Sequence, residues 1–141
     1  MKISELTGAQ LDYWVARADE SWKWAHRLFA TMTLDPTFAS VELCTYSNGM
    51  QECVLLPNNP MRQEPQVFTP STEWAHGGLI IERWKINITT KSNPDMGGND
   101  WIASFSGRHA NRGYGPTPLV AAMRAKVASR YGDEVPDETA A

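Results

Sequence analysis

The sequence lacks the features that mark a membrane or an exported protein. No apolar run approaches the ~20 residues that a membrane-spanning helix needs. The N-terminal stretch Met1-Lys2-Ile3-Ser4-Glu5 has none of the apolar core of a signal peptide. Cysteine is scarce as well, since only Cys44 and Cys53 are present. We therefore expect a cytoplasmic protein that does not associate with membranes and whose two thiols are reduced.

Signatures of catalysis, metal binding and general nucleic-acid binding are also missing. The chain contains no Walker loop and no Gly-x-Ser-x-Gly elbow. None of its histidines, His26, His76 and His109, has a second histidine or a cysteine at the spacing of a metal site. The formal net charge of −3 argues against a general nucleic-acid binder, which would usually present a basic face. We expect neither a metal nor a cofactor, and no enzymatic activity.

What the chain does contain is typical of one small globular domain. Its 141 residues are 42% hydrophobic and 21% charged, an ordinary balance for a protein with a single core. We expect residues 1–141 to form one domain, with an acidic C-terminal tail at 133–141 that is mobile at its end.

Two segments carry helix-start signals. Thr7-Gly8-Ala9-Gln10 has the pattern of a capping box, and apolar residues follow it at helical spacing. Thr117-Pro118 places a capping hydroxyl before a proline, and Gly132 is a residue that commonly ends a helix. The second pattern predicts a helix over 118–131.

The central part of the chain has the pattern of antiparallel strands. Asn48-Gly49 predicts a hairpin between strands at 41–46 and 52–56. Alternating apolar residues predict further strands at 79–90 and 101–106. The expected fold class is α+β: an antiparallel sheet of about four strands packed against N-terminal and C-terminal helices, as a sandwich.

Three segments resemble the phage NinX-like family. They are Glu5-Leu6-Thr7-Gly8-Ala9-Gln10-Leu11-Asp12, then Pro70 to Arg83, and then Gly115 to Arg124 with its continuation through 127–129 and 132–135. Together they cover roughly half of the chain in order. Residues 21–63 depart from a short member of the family and have the character of an elaboration.

The resemblance implies a protein encoded by a bacteriophage or prophage that acts in the host bacterial cytoplasm. The family is an accessory group without an established reaction. Some small phage proteins of comparable size trap nucleotide signals of host immunity. By analogy we expect a non-enzymatic protein that binds a small anionic ligand, with a nucleotide as the leading choice.

The expected binding site combines two loops. Guanidinium groups and free N–H groups at a helix N-terminus suit a phosphate, and aromatic rings can stack on a base. The predicted ligand-binding residues are Ser71, Thr72, Trp74, Arg108, His109, Arg112 and Thr117. A plainer interpretation gives Ser71 or Thr72 the role of a helix cap, lets Trp74 pack inward, and pairs the arginines with Asp133 and Glu134.

Other interpretations remain open. The protein can be an inhibitor or adaptor that presents a surface of Trp14, Trp22 and Trp24 to a host protein. It can also be an enzyme of an unrecognised class. Exposed tryptophans would favour burial against a second copy, so we expect a homodimer.

Four single residues carry expectations of their own. His76 is expected in a loop, exposed or beside a ligand. Glu82 is expected on a strand, turned outward by a bulge or held at a pocket edge. Arg83 and Arg124 are expected to form ion pairs at the surface.

Overall fold

A computed structural model describes residues 1–24, 38–61, 63–90, 99–105 and 112–136. The described elements are three α-helices, α1 (Gly8–Ala18), α2 (Trp74–Trp84) and α3 (Pro118–Tyr131), and six strands, β1 (Phe38–Thr45), β2 (Gln51–Pro57), β3 (Gln66–Val67), β4 (Ile86–Thr90), β5 (Trp101–Phe105) and β6 (Gly113–Gly115). Short 3₁₀ turns at Ile3–Glu5 and Glu20–Trp24 flank α1.

The strands form two antiparallel sheets of three, in the orders β1-β2-β3 and β4-β5-β6. The α+β class is confirmed, while the expected single sheet of about four strands is replaced by two smaller sheets. The hairpin at Asn48-Gly49 is confirmed, with Gly49 at φ +87°. The strands that the sequence did not predict are β3 and β6, which are too short to show an alternating pattern.

Helices α1 and α3 pack against each other, and each covers one sheet. Helix α1 contacts β1 and β2, whereas α3 contacts all three strands of the second sheet. Because α3 has neighbours on opposite sides, nine of its residues are buried, most of them apolar or small. A helix apolar on all sides belongs in a core.

The predicted helix over 118–131 is confirmed at both ends. The Thr117 hydroxyl oxygen accepts a hydrogen bond from the backbone N–H of Val120 at 3.1 Å, Pro118 is the first helical residue, and Gly132 follows with φ +81°. Thr7 likewise precedes α1, but its side chain makes no capping hydrogen bond, so the capping box is not formed.

The predicted strand over 79–90 is wrong in its first half. Residues up to Trp84 belong to α2, Lys85 takes the left-handed conformation at φ +52°, and only Ile86–Thr90 is extended. Ile80 and Trp84 are four residues apart, a spacing that fits both a strand face and a helix face. As a result Glu82 lies exposed on a helix, and neither strand interpretation of it holds.

Candidate functional site

The Ser71 side chain, predicted to contact a ligand, is instead only 2% exposed. Its backbone N–H donates to Asp12 Oδ1 at 2.8 Å and joins the turn before α2 to the face of α1. Burial raises the pKa of Asp12 to about 6, and the contacts with Ser71 offset that rise only in part. Ser71 thus helps to hold two helices together.

The neighbouring predicted contacts, Thr72 and Trp74, are exposed. Trp74 is 58% exposed at the first turn of α2, so the interpretation that it packs inward is wrong. Gly77, one turn later, lies against the Pro70 carbonyl and Leu119, where a Cβ would stand 2.7 Å from Leu119 Cδ2. This close approach places the turn before α2 near the N-terminal end of α3.

Arg112, in contrast, lies beside the C-terminal half of α3. Gly113 follows it and approaches α3 at Ala121 and Ala125, leaving no space for a Cβ. The cleft that Arg112 lines reaches Ala128, eleven residues beyond Thr117. At ~1.5 Å per residue, a ligand that touches this part of the cleft and the capped end at Thr117 would need to span roughly 16 Å. Arg108 and His109 fall outside the described residues.

Arg112 lines a cleft of about 450 Å³ between the N-terminal residues, β6 and the end of α3. Three cationic side chains reach it from separate parts of the sequence: Lys2, Arg112 and Arg124. Ser4, Asn99 and Tyr114 add polar groups, and Asp133 and Glu134 add two carboxylates. The Tyr114 side chain is 40% exposed.

Arg124 is the most constrained cation of this cleft. It is 4% exposed, so its expected place at the surface is wrong. Nε and Nη2 donate to the Leu6 carbonyl at 3.2 and 3.0 Å, and Nη1 donates to the Tyr114 carbonyl at 2.7 Å. Burial lowers its pKa, but an arginine stays charged at neutral pH. These contacts are with carbonyl dipoles, so its positive charge adds to the potential of the cleft.

The N-terminal wall of the cleft is held to the end of the chain by a short antiparallel bridge. The Ile3 N–H donates to the Asp133 carbonyl at 3.0 Å, and the Val135 N–H donates to the Met1 carbonyl at 3.0 Å. Lys2 pairs with Glu134 between them. We call residues 1–3 with 133–135 the terminal bridge. The predicted acidic tail therefore begins as an ordered segment; residues 137–141 lie outside the described part.

A second charged cluster joins α3 to the end of α2. The Trp84 indole N–H donates to Asp19 Oδ2 at 3.3 Å, and Arg83 pairs with the same oxygen at 3.6 Å. The Lys126 ammonium lies 3.7 Å from the centre of the Trp84 ring. Burial lowers the pKa of Lys126, and the Asp19 carboxylate opposes that shift. The ion pair expected of Arg83 is confirmed, whereas the buried Lys126 was missed; its only signal was a charge inside an apolar helix.

The remaining aromatic and histidine expectations are settled by burial. Trp14 and Trp22 are 7% and 4% exposed, so they belong to the core and do not form the exposed tryptophan surface that was expected. The Trp24 side chain lies outside what the structure describes. His76 sits in α2, where its Nδ1 accepts the Thr69 N–H at 2.9 Å and its ring stacks on Phe68. Its loop placement was therefore wrong.

The described residues contain no group of three or more histidine, cysteine or acidic side chains arranged to hold a metal ion. None of their helices has the length and apolar character required to cross a bilayer.

Comparison with known proteins identifies the class and then the family. The model of a phage protein family matches residues 2–130, a range that includes the segment interpreted above as an elaboration. This family is NinX of bacteriophage P22, and the chain belongs to it. The protein is accordingly a phage accessory protein. No curated protein sequence matches the chain.

Proposed function

We propose that this protein binds a small anionic ligand in the cleft beside the C-terminal half of α3, and that the ligand is a nucleotide. One observation carries the proposal. Lys2, Arg112 and Arg124 all line one cleft of about 450 Å³. That volume lies within the range of small-molecule sites.

The charges of the cleft favour an anion. Three cationic side chains face two carboxylates, so the cleft keeps a net positive charge in a chain whose formal net charge is −3. Arg112 offers a planar fork of N–H donors that matches phosphate oxygens. Arg108 and His109 precede Arg112 by a few residues in the sequence, lie outside the described residues and stay predicted contacts of the same anion.

The other groups of the cleft suit the rest of a nucleotide. Ser4 and Asn99 supply polar groups that can bond a base. The exposed Tyr114 ring, in contrast, lies on the face of β6 opposite α3, because its neighbours Gly113 and Gly115 face that helix. Asp133 and Glu134 can accept hydrogen bonds from ribose hydroxyls. The same carboxylates can also pair with Arg112, which is the plainer interpretation of this cluster.

The predicted contacts at the other end of α3 stay predictions. Thr72, Trp74 and Thr117 lie near the capped end of the helix, away from Arg112. The proposal therefore assigns the phosphate to Arg112, and a ligand long enough to reach Trp74 would be a dinucleotide or larger.

A thermal-shift panel of linear and cyclic nucleotides tests the proposal, because a ligand of the native state raises its melting temperature. We expect at least one nucleotide to stabilise the parent and to lose that effect in Arg112→Ala. Arg130→Ala, which removes an exposed arginine of α3 outside the cleft, is the matched control. Absence of any shift at millimolar nucleotide contradicts the proposal.

A second measurement separates binding from catalysis. In this proposal the protein sequesters a host defence signal without altering it. A nucleotide recovered from the heat-denatured complex should be chemically intact by chromatography. A converted nucleotide would instead identify an enzyme.

A further inference from the structure

A second opening of the described structure is distinct from the cationic cleft. It is a groove of about 660 Å³ between α1 and β1, on the other side of the terminal bridge. Leu6, Tyr13 and Trp14 form one wall, and Val135 with Pro136 forms another. Five consecutive residues of β1, 41–45, form the third. Successive side chains of a strand point to opposite faces of the sheet. A groove lined by consecutive residues therefore runs along the edge of the strand, beside its main chain, and does not lie on one face of the sheet.

Among the described residues, the main chain of β1 at this groove has no strand paired to its outer side. In the described sheet β1 is an outer strand, paired only with β2. The Tyr46 N–H donates to the Met50 carbonyl, so Tyr46 and Met50 are a hydrogen-bonded pair. This bond shows which of the facing pairs further along the ladder are hydrogen-bonded and which are not. Since polar groups alternate along an antiparallel ladder, those of Val41, Leu43 and Thr45 point away from β2 and into the groove.

A hydrogen bond between β2 and the residue after β3 supports this assignment of the pairs. Cys53 pairs with Leu43 in the register, and its carbonyl accepts from the Phe68 N–H at 2.8 Å, on the side away from β1. Leu43 and Cys53 therefore form a pair whose polar groups face outward on both strands. The β1 edge thus offers a row of donors and acceptors between apolar walls.

The shape of the groove fits one strand. Residues 41–45 span ~14 Å at the rise of a strand, the length of a four- or five-residue segment. The terminal bridge and Pro136 close the far side. A second copy of β1 would bring its own β2 into that wall, whereas an isolated extended segment would not.

The charge of the groove indicates which side chains the incoming segment should carry. Glu42 carries the only charged side chain among its described lining residues, and it is exposed. The N-terminal ammonium of Met1 also lines the groove, but it donates to the Val135 carbonyl at 3.4 Å within the terminal bridge, on the wall opposite β1. A basic side chain on the incoming segment would find a carboxylate, and an acidic one would be repelled.

We propose that this groove binds an extended peptide segment of another protein, with alternating apolar and basic residues, which adds a strand to β1. Main-chain hydrogen bonds to Val41, Leu43 and Thr45 align the segment, and the wall of Leu6, Tyr13 and Trp14 covers its apolar side chains. Strand addition is an established mode of peptide recognition.

The test measures fluorescence anisotropy of a labelled acetyl-Val-Lys-Val-Lys-Val-amide peptide on the full chain. Thr45→Pro removes an edge N–H that takes no part in the β1–β2 ladder, and a proline is tolerated there. We expect it to weaken the peptide about tenfold or more. Arg130→Ala, which replaces an exposed residue outside the groove, should bind as the parent does. Glu42→Lys should reverse the preference, favouring a Val-Glu-Val-Glu-Val peptide.

An N-methylated version of the lysine peptide tests the same contact without changing the protein. It should lose binding, and it keeps the proposal falsifiable if Thr45→Pro does not fold. Equal binding of the methylated and unmethylated peptides, or no binding at millimolar peptide, overturns the proposal. A dimer in analytical ultracentrifugation that disappears in Thr45→Pro also overturns it, because the edge would then belong to a second copy.

Discussion

The two openings on either side of the terminal bridge differ in the chemistry of their walls. The cleft beside α3 gathers the cationic side chains of Lys2, Arg112 and Arg124, whereas Glu42 carries the only charged side chain among the described residues that line the groove beside β1. Side chains alternate along an extended chain, so Lys2 and Glu134 face one way while Met1 and Val135 can line the other opening. A single short strand pair can therefore separate an anion site from a strand site.

Arg124 connects the two openings. It donates to the Leu6 carbonyl, whose residue lines the groove, and to the Tyr114 carbonyl, whose residue lines the cleft. The comparison between the openings thus depends on one buried cation. A substitution confined to one opening should leave ligand binding in the other unchanged, whereas a substitution of Arg124 should affect both.

The largest effect is expected from Arg124→Ala. Removing the guanidinium takes its donors from the buried Leu6 carbonyl and the partly buried Tyr114 carbonyl, and loss of a buried charged partner costs about 3–4 kcal/mol. The free energy of unfolding, from denaturant titration, should fall by that amount. Both the nucleotide shift and peptide binding should weaken. Arg130→Ala should change stability by less than ~0.5 kcal/mol, and a similarly small change in Arg124→Ala would show that its hydrogen bonds are not made.

The next effect concerns Asp12, which anchors α1 and thus the groove alone. Its pKa is raised to about 6 in the folded protein from 3.8, so the folded state binds the proton more tightly than the unfolded state. This contribution is present below the unfolded pKa and is lost as pH rises through about 6. It amounts to about 2–3 kcal/mol.

Replacement by asparagine tests this sign. Asp12→Asn keeps an oxygen for the Ser71 N–H but cannot ionise, so its stability relative to the parent should increase from about pH 4 to about pH 7. Denaturant titration across that range measures the difference. A parallel pH dependence of parent and variant would place the Asp12 carboxyl in water.

Features of the fold could be predicted from the sequence where they depend on neighbouring residues, and could not where they depend on residues far apart in the chain. The ends of α3 could be predicted because Thr117, Pro118 and Gly132 act on their own backbone. The buried charges could not, because their partners are remote: Arg124 is 118 positions from Leu6, and Asp12 is 59 from Ser71. A charged residue in a helix is usually exposed, and only the tertiary contact reverses that expectation.

The candidate site shows the same division. Arg112 was predicted from its glycine-rich surroundings, and it does line a cleft. Lys2 and Arg124 were not joined to it, because only the terminal bridge and the close approach of Gly113 to α3 bring them together. Ser71 was placed at the site on residue type, and the structure buries it at a contact with α1, whereas its neighbours Thr72 and Trp74 are exposed and stay predicted contacts.

Combined replacement of Arg108 and Arg112 by alanine sharpens the comparison at the cleft alone. Exposed charges contribute about 0–1 kcal/mol to folding, so the melting temperature should remain nearly unchanged. A nucleotide found in the panel should bind tenfold more weakly or worse, a loss of about 1.4 kcal/mol by calorimetry. The valine–lysine peptide should bind as before. Unchanged nucleotide binding would favour pairing of these arginines with Asp133 and Glu134.

The smallest effect is expected at the N-terminal end of α3, away from both openings. Thr117→Ala removes the oxygen that accepts the Val120 N–H and should lower the free energy of unfolding by about 1 kcal/mol. Thr117→Ser retains that oxygen and should remain close to the parent. Neither variant should change peptide binding or the shift given by a mononucleotide. A nucleotide loss in Thr117→Ala with stability intact would move the anion to the helix N-terminus and leave the cleft at Arg112 without its ligand.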